Sequence, residues 1–187
     1  SPLSHLPTFS VVHRDIKPEN IIFETDEDTS GMQLIDFGFA ASGVVGHSLT
    51  TACGTPQYAA PEILNGVPHG KEVDCWSLGV VTYVLLCGFP PFYDDNQSEL
   101  FNTIRKGKYH YPSPYWDEVS SDARNVIDNL LKLDPRVRWT AEQVLENPWV
   151  ASEGCGSGSH QTSPQRAPLA SAQEPLKANP PGSGSQL

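Results

Sequence analysis

The residue types best suited to chemistry lie close together near the beginning of the chain. Residues 13–20 read HRDIKPEN, which brings the carboxylate of Asp15, the ammonium of Lys17 and the amide of Asn20 within six residues. A second carboxylate, Asp36, stands directly before Phe-Gly. Two acids and an amide offer the oxygen ligands that hard divalent cations prefer. Either motif alone is weak evidence, because an Asp at the end of a strand is usually a solvated turn former.

These motifs lie between short segments with strand character. Residues 11–12, 20–23 and 32–35 are predicted strands, and the acidic, polar segment 24–31 is the predicted hairpin loop between the last two. Residues 37–57 are rich in Gly, Ser and Thr and show little periodicity. A connection of that length is too long to be passive, so we expect a functional loop there.

From Tyr58 onward the pattern is helical. One predicted helix is apolar on most sides and should be buried, whereas the other three alternate faces as surface helices do. The four span residues 73–86, which is the buried one, 98–106, 121–133 and 141–146. A few short strands followed by helices predict an α+β fold that is mainly helical.

The overall composition excludes some classes of partner. The 187 residues carry 22 acidic and 12 basic side chains, for a formal charge of −10, which disfavours nucleic acid and favours cationic ligands or basic peptides. The sequence shows no recognisable secretory signal peptide and no apolar run long enough to span a membrane, so no membrane partner is expected. The four cysteines match no zinc-ligand spacing and are interpreted as reduced thiols. We therefore expect an intracellular, cytoplasmic protein, with the nucleus as an open alternative.

A third motif completes a recognisable set. Residues 54–62 read GTPQYAAPE; together with HRDIKPEN and Asp-Phe-Gly, they resemble the eukaryotic protein kinase family from about residue 11 to residue 150. KPEN and GTPQY resemble its serine/threonine branch, and residues 79–92 and 109–116 resemble the calcium/calmodulin-dependent kinase group. The resemblance implies a kinase C-terminal lobe that uses ATP and Mg²⁺ and transfers the γ-phosphate to Ser or Thr of protein substrates.

The same resemblance assigns roles to the site residues. Asp15 would orient the substrate hydroxyl and accept its proton, and Lys17 would neutralise the transferred phosphoryl group. Thr55 would contact Asp15 and help to seat a Ser or Thr substrate. Asn20 and Asp36 would hold the magnesium ions that bridge the ATP phosphates.

Four further residues are given structural roles by the resemblance. His13 would pack beneath the catalytic loop rather than act as a base. Asp74, which opens the buried helix, would brace that loop from within. Glu62 would pair with Arg138.

Regulation and substrate choice are also implied. Arg14 would form a cationic pocket for an activation-loop phosphate, with Thr50 or Thr51 as acceptor and Ser48 as the next candidate. Glu19 and the acidic net charge favour peptides with Arg or Lys on the amino-terminal side of the target residue.

The two ends of the chain are interpreted separately from the domain. Residues 151–187 contain no aromatic residue and are rich in Gly, Ser and Pro, which predicts a disordered tail. With only Arg166 and Lys177 as basic residues, this tail does not favour control by calmodulin. Residues 1–10 are interpreted as a truncated remnant of the helix that precedes the catalytic loop in kinases.

Kinases carry a Gly-rich loop, a strand lysine and a helix glutamate upstream of the catalytic loop. Residues 1–12 hold none of these, so the N-terminal lobe is absent from this sequence. Two hypotheses follow. The chain is part of a serine/threonine kinase and inactive by itself, or it is a truncated, non-catalytic protein that binds kinase substrates or regulators.

Overall fold

Two short antiparallel ladders form the first part of the structure, a computed structural model that describes residues 9–25, 31–44 and 55–153. In the first ladder, strand β1 (Phe9–Val12) pairs with β4 (Ala41–Val44), so that residue 9 lies opposite residue 44. In the second, β2 (Ile21–Phe23) pairs with β3 (Met32–Leu34), so that residue 21 lies opposite residue 34. The catalytic-loop motif therefore connects the two ladders.

Six α-helices follow the ladders in the described part of the chain. They are α1 (Pro61–Leu64), α2 (Glu72–Cys87), α3 (Gln97–Lys106), α4 (Ser121–Leu130), α5 (Ala141–Leu145) and α6 (Pro148–Glu153). The boundaries have local causes. Asn96, Ser120 and Thr140 accept hydrogen bonds from the first amides of α3, α4 and α5. Gly88 and Gly107 end α2 and α3 with φ angles of 90° and 58°, which glycine adopts without steric cost.

Helix α2 is the centre of the core, as its apolar sequence predicts. Trp76 and Tyr83 are buried on it, and Trp76 stacks on Phe92 with a ring distance of 5.6 Å. Gly79 allows α4 to come close, because a Cβ atom at this position would lie only 2.8 Å from the Cβ of Leu130. The buried helix thus supplies a rigid support for the loops that carry the candidate site.

The structure differs from the sequence prediction in several boundaries. Strand β4 lies inside residues 37–57, which were expected to be a loop, and residues 9 and 10 are strand rather than the end of a helix. Helix α4 ends at Leu130 instead of residue 133, and the short helices α1 and α6 were not predicted. These elements are too short to show a clear hydrophobic period in the sequence. Tertiary contacts rather than local propensity determine their conformation.

Some predictions fall on residues that lie outside the described ranges. These include the tail beyond residue 153 and most of the segment 1–10. Within the part of the chain that the structure describes, no helix combines the length and apolar character that a membrane crossing requires.

Candidate active site

The carboxylate of Asp15 lies at the centre of a small hydrogen-bonded group between β1 and the 3-10 turn Pro18–Asn20. Asp15 is only 2% exposed. Lys17 Nζ is 2.7 Å from Asp15 Oδ2. The backbone amide and the hydroxyl of Thr55 both donate to Asp15 Oδ1 at 2.9 Å. Lys17 Nζ also donates to the Thr55 hydroxyl at 3.0 Å, so the three side chains are mutually bonded although Thr55 is distant in sequence.

The surroundings of Asp15 favour its ionised form. Burial by itself raises the pKa of this carboxyl, but the hydrogen bonds from Lys17 and Thr55 outweigh burial and leave the pKa below its ordinary value. Asp15 is therefore an anion at neutral pH. An ionised carboxylate in this position can accept a hydrogen bond from a hydroxyl group and fix its direction.

The amide of Asn20 joins the same group. Asn20 Nδ2 donates to the backbone oxygen of Asp15 at 2.8 Å and to Asp15 Oδ2 at 3.2 Å. Both bonds use the nitrogen, so the amide oxygen remains as the atom that a hard cation would bind. The backbone oxygen of Asn20 accepts from the Ile35 amide at 2.9 Å, which brings the next residue, Asp36, to this side of the loop.

Asp36 is exposed and has an unusual backbone. Its φ of 62° lies in the left-handed region, and its Oδ1 accepts from the Gly38 amide at 3.2 Å. An amide oxygen and an exposed carboxylate suit Mg²⁺, which commonly takes one or two protein ligands with phosphates and water completing the shell. No cluster of three His, Cys, Asp or Glu side chains suited to a metal occurs in the described ranges.

Asp74 binds the backbone just before Asp15. Its Oδ2 accepts from the His13 amide at 2.8 Å, and its Oδ1 accepts from the Arg14 amide at 2.9 Å. Arg14 has a φ of 68°, a conformation that costs on the order of 1–3 kcal/mol for a residue with a side chain. Burial raises the pKa of Asp74 despite these two bonds. The carboxylate that opens α2 thus holds a strained segment of the loop in place.

Two side chains next to Asp74 reach the turn after β3. Arg14 Nε donates to the backbone oxygen of Phe39 at 2.8 Å. His13 Nε2 lies 3.1 Å from the oxygen of Ile35, and its Nδ1 lies 3.3 Å from the amide of Asp15. Because an oxygen accepts and an amide donates, His13 carries its hydrogen on Nε2 and uses both nitrogens within the fold. This arrangement gives His13 a packing role and no free nitrogen for proton transfer.

Glu62 and Arg138 form a buried pair at a distance from the site. Arg138 Nη1 and Nη2 donate to the two carboxylate oxygens of Glu62 at 2.6 and 3.1 Å. Arg138 also donates to the backbone oxygens of Glu72 and Lys132 and lies 5.2 Å from the ring centroid of Trp76. The pair joins the segment after Thr55 to the start of α2.

Glu19 is exposed on the rim of the site. Burial raises the pKa of Tyr58, in the turn Pro56–Tyr58, to about 12, and the negative charge of Glu19 contributes to the increase. An exposed carboxylate beside this turn is available to a cationic group of a bound peptide.

Hydrogen bonds therefore join the predicted residues 13, 15, 17, 20, 55 and 74, and Asp36 follows Ile35, whose amide bonds to Asn20. Glu62 and Arg138 lie in a separate buried pair. The candidate phosphate acceptors Ser48, Thr50 and Thr51 lie outside the described residues.

Sequence reasoning overlooked Ser77, a buried hydroxyl on α2. Its position three residues after Asp74, on the same helix face, is the signal that could have pointed to it.

Comparison with known proteins places these features in a family. Residues 1–150 match the family model described as the protein kinase domain. The chain is 45% identical over 151 residues to the human calcium/calmodulin-dependent protein kinase type 1B, covering 81% of this chain and 44% of that protein. The rat type 1B protein gives the same values. The type 1 protein of Caenorhabditis briggsae is 47% identical over 144 residues, covering 75% of this chain and 39% of that protein.

The chain thus spans less than half the length of these relatives. The matched region contains the Asp15 group, which consists of Asp15, Lys17, Asn20 and Thr55, and it also contains Asp74, which binds the backbone before Asp15. Sequence similarity and site geometry agree, and the chain belongs to the protein kinase family, with similarity to its calcium/calmodulin-dependent members.

Proposed function

We propose that this chain forms the catalytic-loop and substrate-binding part of a serine/threonine protein kinase. The observation that carries the proposal is the Asp15 carboxylate, which is held ionised by Lys17 and Thr55 beside the amide of Asn20. Phosphoryl transfer from ATP needs positioned groups and charge neutralisation rather than covalent chemistry. The residues of this group are of the types required.

Each residue has a separate task in the proposed reaction. Asp15 orients the hydroxyl of a substrate Ser or Thr and accepts its proton. Lys17 carries a positive charge next to Asp15 and neutralises the transferred group. Asn20 and Asp36 would hold Mg²⁺, which supplies the charge neutralisation of the ATP phosphates. Thr55 keeps Asp15 in one orientation through its two hydrogen bonds.

Glu19 gives the proposed substrate preference. It is exposed and next to the turn that carries Thr55. A peptide with Arg or Lys upstream of its target residue would place a cation near this carboxylate. Because exposed charges are screened, the effect should be modest, and Glu19→Gln should reduce discrimination between basic and neutral peptides by no more than about tenfold.

We further propose that the described region acts as the C-terminal lobe of a two-lobed kinase. Eight apolar side chains between 36% and 68% exposed lie in the first part of the structure. They are Val11, Ile22, Phe23, Met32, Leu34, Ile35, Phe37 and Phe39. Exposed apolar surface next to a site commonly marks an interface. A second lobe placed against it would also supply the wall that encloses a nucleotide.

The decisive experiment compares the chain alone with a chain extended upstream by a complete N-terminal lobe. Transfer of labelled phosphate from MgATP to a Ser peptide with an upstream Arg is measured for both. Asp15→Asn is the test variant. Asp122→Asn, which changes an exposed carboxylate in the first turn of α4, is the matched control.

The extended chain should be active, and only Asp15→Asn should abolish its activity. The chain alone should transfer no phosphate, because proximity contributes about 7–11 kcal/mol only when both reactants are held in line. Activity of the chain alone that disappears with Asp15→Asn would refute the two-lobe requirement. An inactive extended chain would instead support the second hypothesis, a truncated, non-catalytic protein that binds kinase substrates or regulators.

A further inference from the structure

The Thr55 side of the site is anchored to α2 by one buried hydroxyl. Ser77 is 3% exposed, and its Oγ lies 2.8 Å from the backbone oxygen of Tyr58 and 3.2 Å from that of Val73. A serine hydroxyl has a single hydrogen to donate, and the shorter distance is to Tyr58. Ser77 therefore supplies a tertiary hydrogen bond as well as a contact within its own helix.

This bond leads directly to Asp15. Tyr58 closes the turn Pro56–Tyr58, and its amide donates to the backbone oxygen of Thr55 at 3.0 Å. Thr55 in turn donates its amide and its hydroxyl to Asp15. The path from α2 to the catalytic carboxylate thus consists of four residues that are joined by hydrogen bonds.

The other side of the site is held by the same helix. Asp74 binds the amides of His13 and Arg14, immediately before Asp15. Residues three apart lie on one face of a helix, so Asp74 and Ser77 present two fixed anchors from one rigid element. One anchor holds the backbone that carries Asp15, and the other holds the turn that carries Thr55.

We propose that Ser77 is a positioning residue that sets the distance between Thr55 and Asp15 by fixing the Tyr58 carbonyl. The functional meaning of this inference rests on the proposed kinase activity, but the positioning itself is independent of ATP and substrate. Without the Ser77 hydroxyl, the partly buried Tyr58 carbonyl loses this donor, and the turn can shift toward other partners.

Helix α2 contains a matched control for this proposal. Thr82 Oγ1 donates to the backbone oxygen of Leu78 at 2.9 Å, the same four-residue contact that Ser77 makes to Val73. No hydrogen bond from Thr82 to the Pro56–Tyr58 turn occurs among the described residues. Ser77→Ala and Thr82→Val therefore both remove one hydroxyl from α2, but only the first removes a bond to the turn.

The test is amide hydrogen exchange, followed residue by residue by NMR in the 187-residue chain without nucleotide. In Ser77→Ala, exchange at Thr55 and Tyr58 should become about 2- to 13-fold faster, the factor expected for the loss of one hydrogen bond. The amides of α2 from Val80 to Val84 should keep their rates, since these residues lie beyond the change. Thr82→Val should leave Thr55 unaffected.

Two results would overturn the proposal. One is unchanged exchange at Thr55 in Ser77→Ala. The other is an equal acceleration of all protected amides, which would mean that Ser77 acts only on global stability. If Ser77→Ala does not fold, Ser77→Cys is measured instead, because a thiol is a weaker hydrogen-bond donor than a hydroxyl. A Thr55 exchange rate in Ser77→Cys equal to that of the wild-type chain would also overturn the proposal.

A kinetic measurement separates this inference from the proposed function. In the extended chain, Ser77→Ala should lower kcat for the Ser peptide and leave KM for ATP unchanged, whereas Thr82→Val should change neither. An unchanged kcat would contradict the positioning role. If the extended wild-type chain is inactive, the proposed function fails, and the exchange measurement still decides whether Ser77 fixes Thr55.

Discussion

The buried ion pair between Glu62 and Arg138 allows a quantitative prediction about stability. The Arg138 side chain is fully buried, and that of Glu62 is 7% exposed. Among the described residues, Arg138 is the only side chain that donates a hydrogen bond to the buried carboxylate of Glu62, so Arg138→Met leaves that charge unpaired. Such a loss typically costs about 3–5 kcal/mol. The net stability of a domain is only about 5–15 kcal/mol, so Arg138→Met should lose a large part of it.

A second Arg–carboxylate pair provides the control. Arg136 donates to both oxygens of Asp134, but its side chain is 86% exposed. Solvent-exposed pairs contribute about 0–1 kcal/mol, so Arg136→Met should have little effect. The two substitutions change the same type of residue two positions apart. They differ in burial and in the additional bonds that Arg138 donates to the backbone oxygens of Glu72 and Lys132.

Urea unfolding at pH 7, followed by tryptophan fluorescence, measures both effects. Arg138→Met should shift the midpoint strongly with little change in the slope m, and Arg136→Met should not. The double variant Glu62→Leu, Arg138→Met should recover part of the loss, because it no longer leaves a buried charge unpaired. The reasoning is refuted if Arg138→Met and Arg136→Met differ by less than about 0.5 kcal/mol, a difference typical of neutral surface changes.

Three further predictions concern packing, a shared hydrogen bond and pH. Gly79→Ala should destabilise the chain by about 1–3 kcal/mol in urea unfolding despite the better helix propensity of Ala, because its Cβ would overlap α4. Tyr109→Phe and Tyr111→Phe should each cost about 1–2 kcal/mol, and the double variant should cost more than their sum, because after a single change the other hydroxyl still donates to the shared carboxylate oxygen on α4. The side-chain hydrogen bond from Arg136 lowers the pKa of Asp134 to about 2. Because the pKa of Asp134 is lower in the folded chain than in the unfolded chain, its ionised form stabilises the fold at pH values above the ordinary pKa, and this stabilisation is lost as the pH falls through about 2. A carboxyl NMR titration should show the lowered midpoint, and Arg136→Gln should return it toward about 3.9.

The sequence was sufficient to locate the long helices and the chemical motifs. Helix α2 has an apolar sequence that only a buried helix explains, and α4 alternates its faces as a surface helix does. The protein kinase domain was recognised because three separate motifs occur in order, and the family match agrees with that prediction. Long periodic segments and multi-residue motifs carry enough information to be read without a structure.

The backbone at the site could not be predicted in the same way. Arg14 and Asp36 are the two residues other than glycine with a positive φ in the described ranges. Neither residue type requires this conformation. For Arg14 the reason is the Asp74 carboxylate, 60 residues away, which binds its amide. Strand β4 was missed for a related reason: its residues have weak strand character, and pairing with β1 determines their conformation.

The two halves of the site are anchored to different parts of the fold. Asp15 and Thr55 are tied through Asp74 and Ser77 to α2, whose buried side chains form part of the hydrophobic core. Asn20 contacts the same group, but Asp36 is reached through the β2–β3 ladder, where most side chains are exposed. Local stability follows buried apolar contact, so the exposed Asp36 should be held less firmly than the Asp15 carboxylate and the Asn20 amide that contacts it.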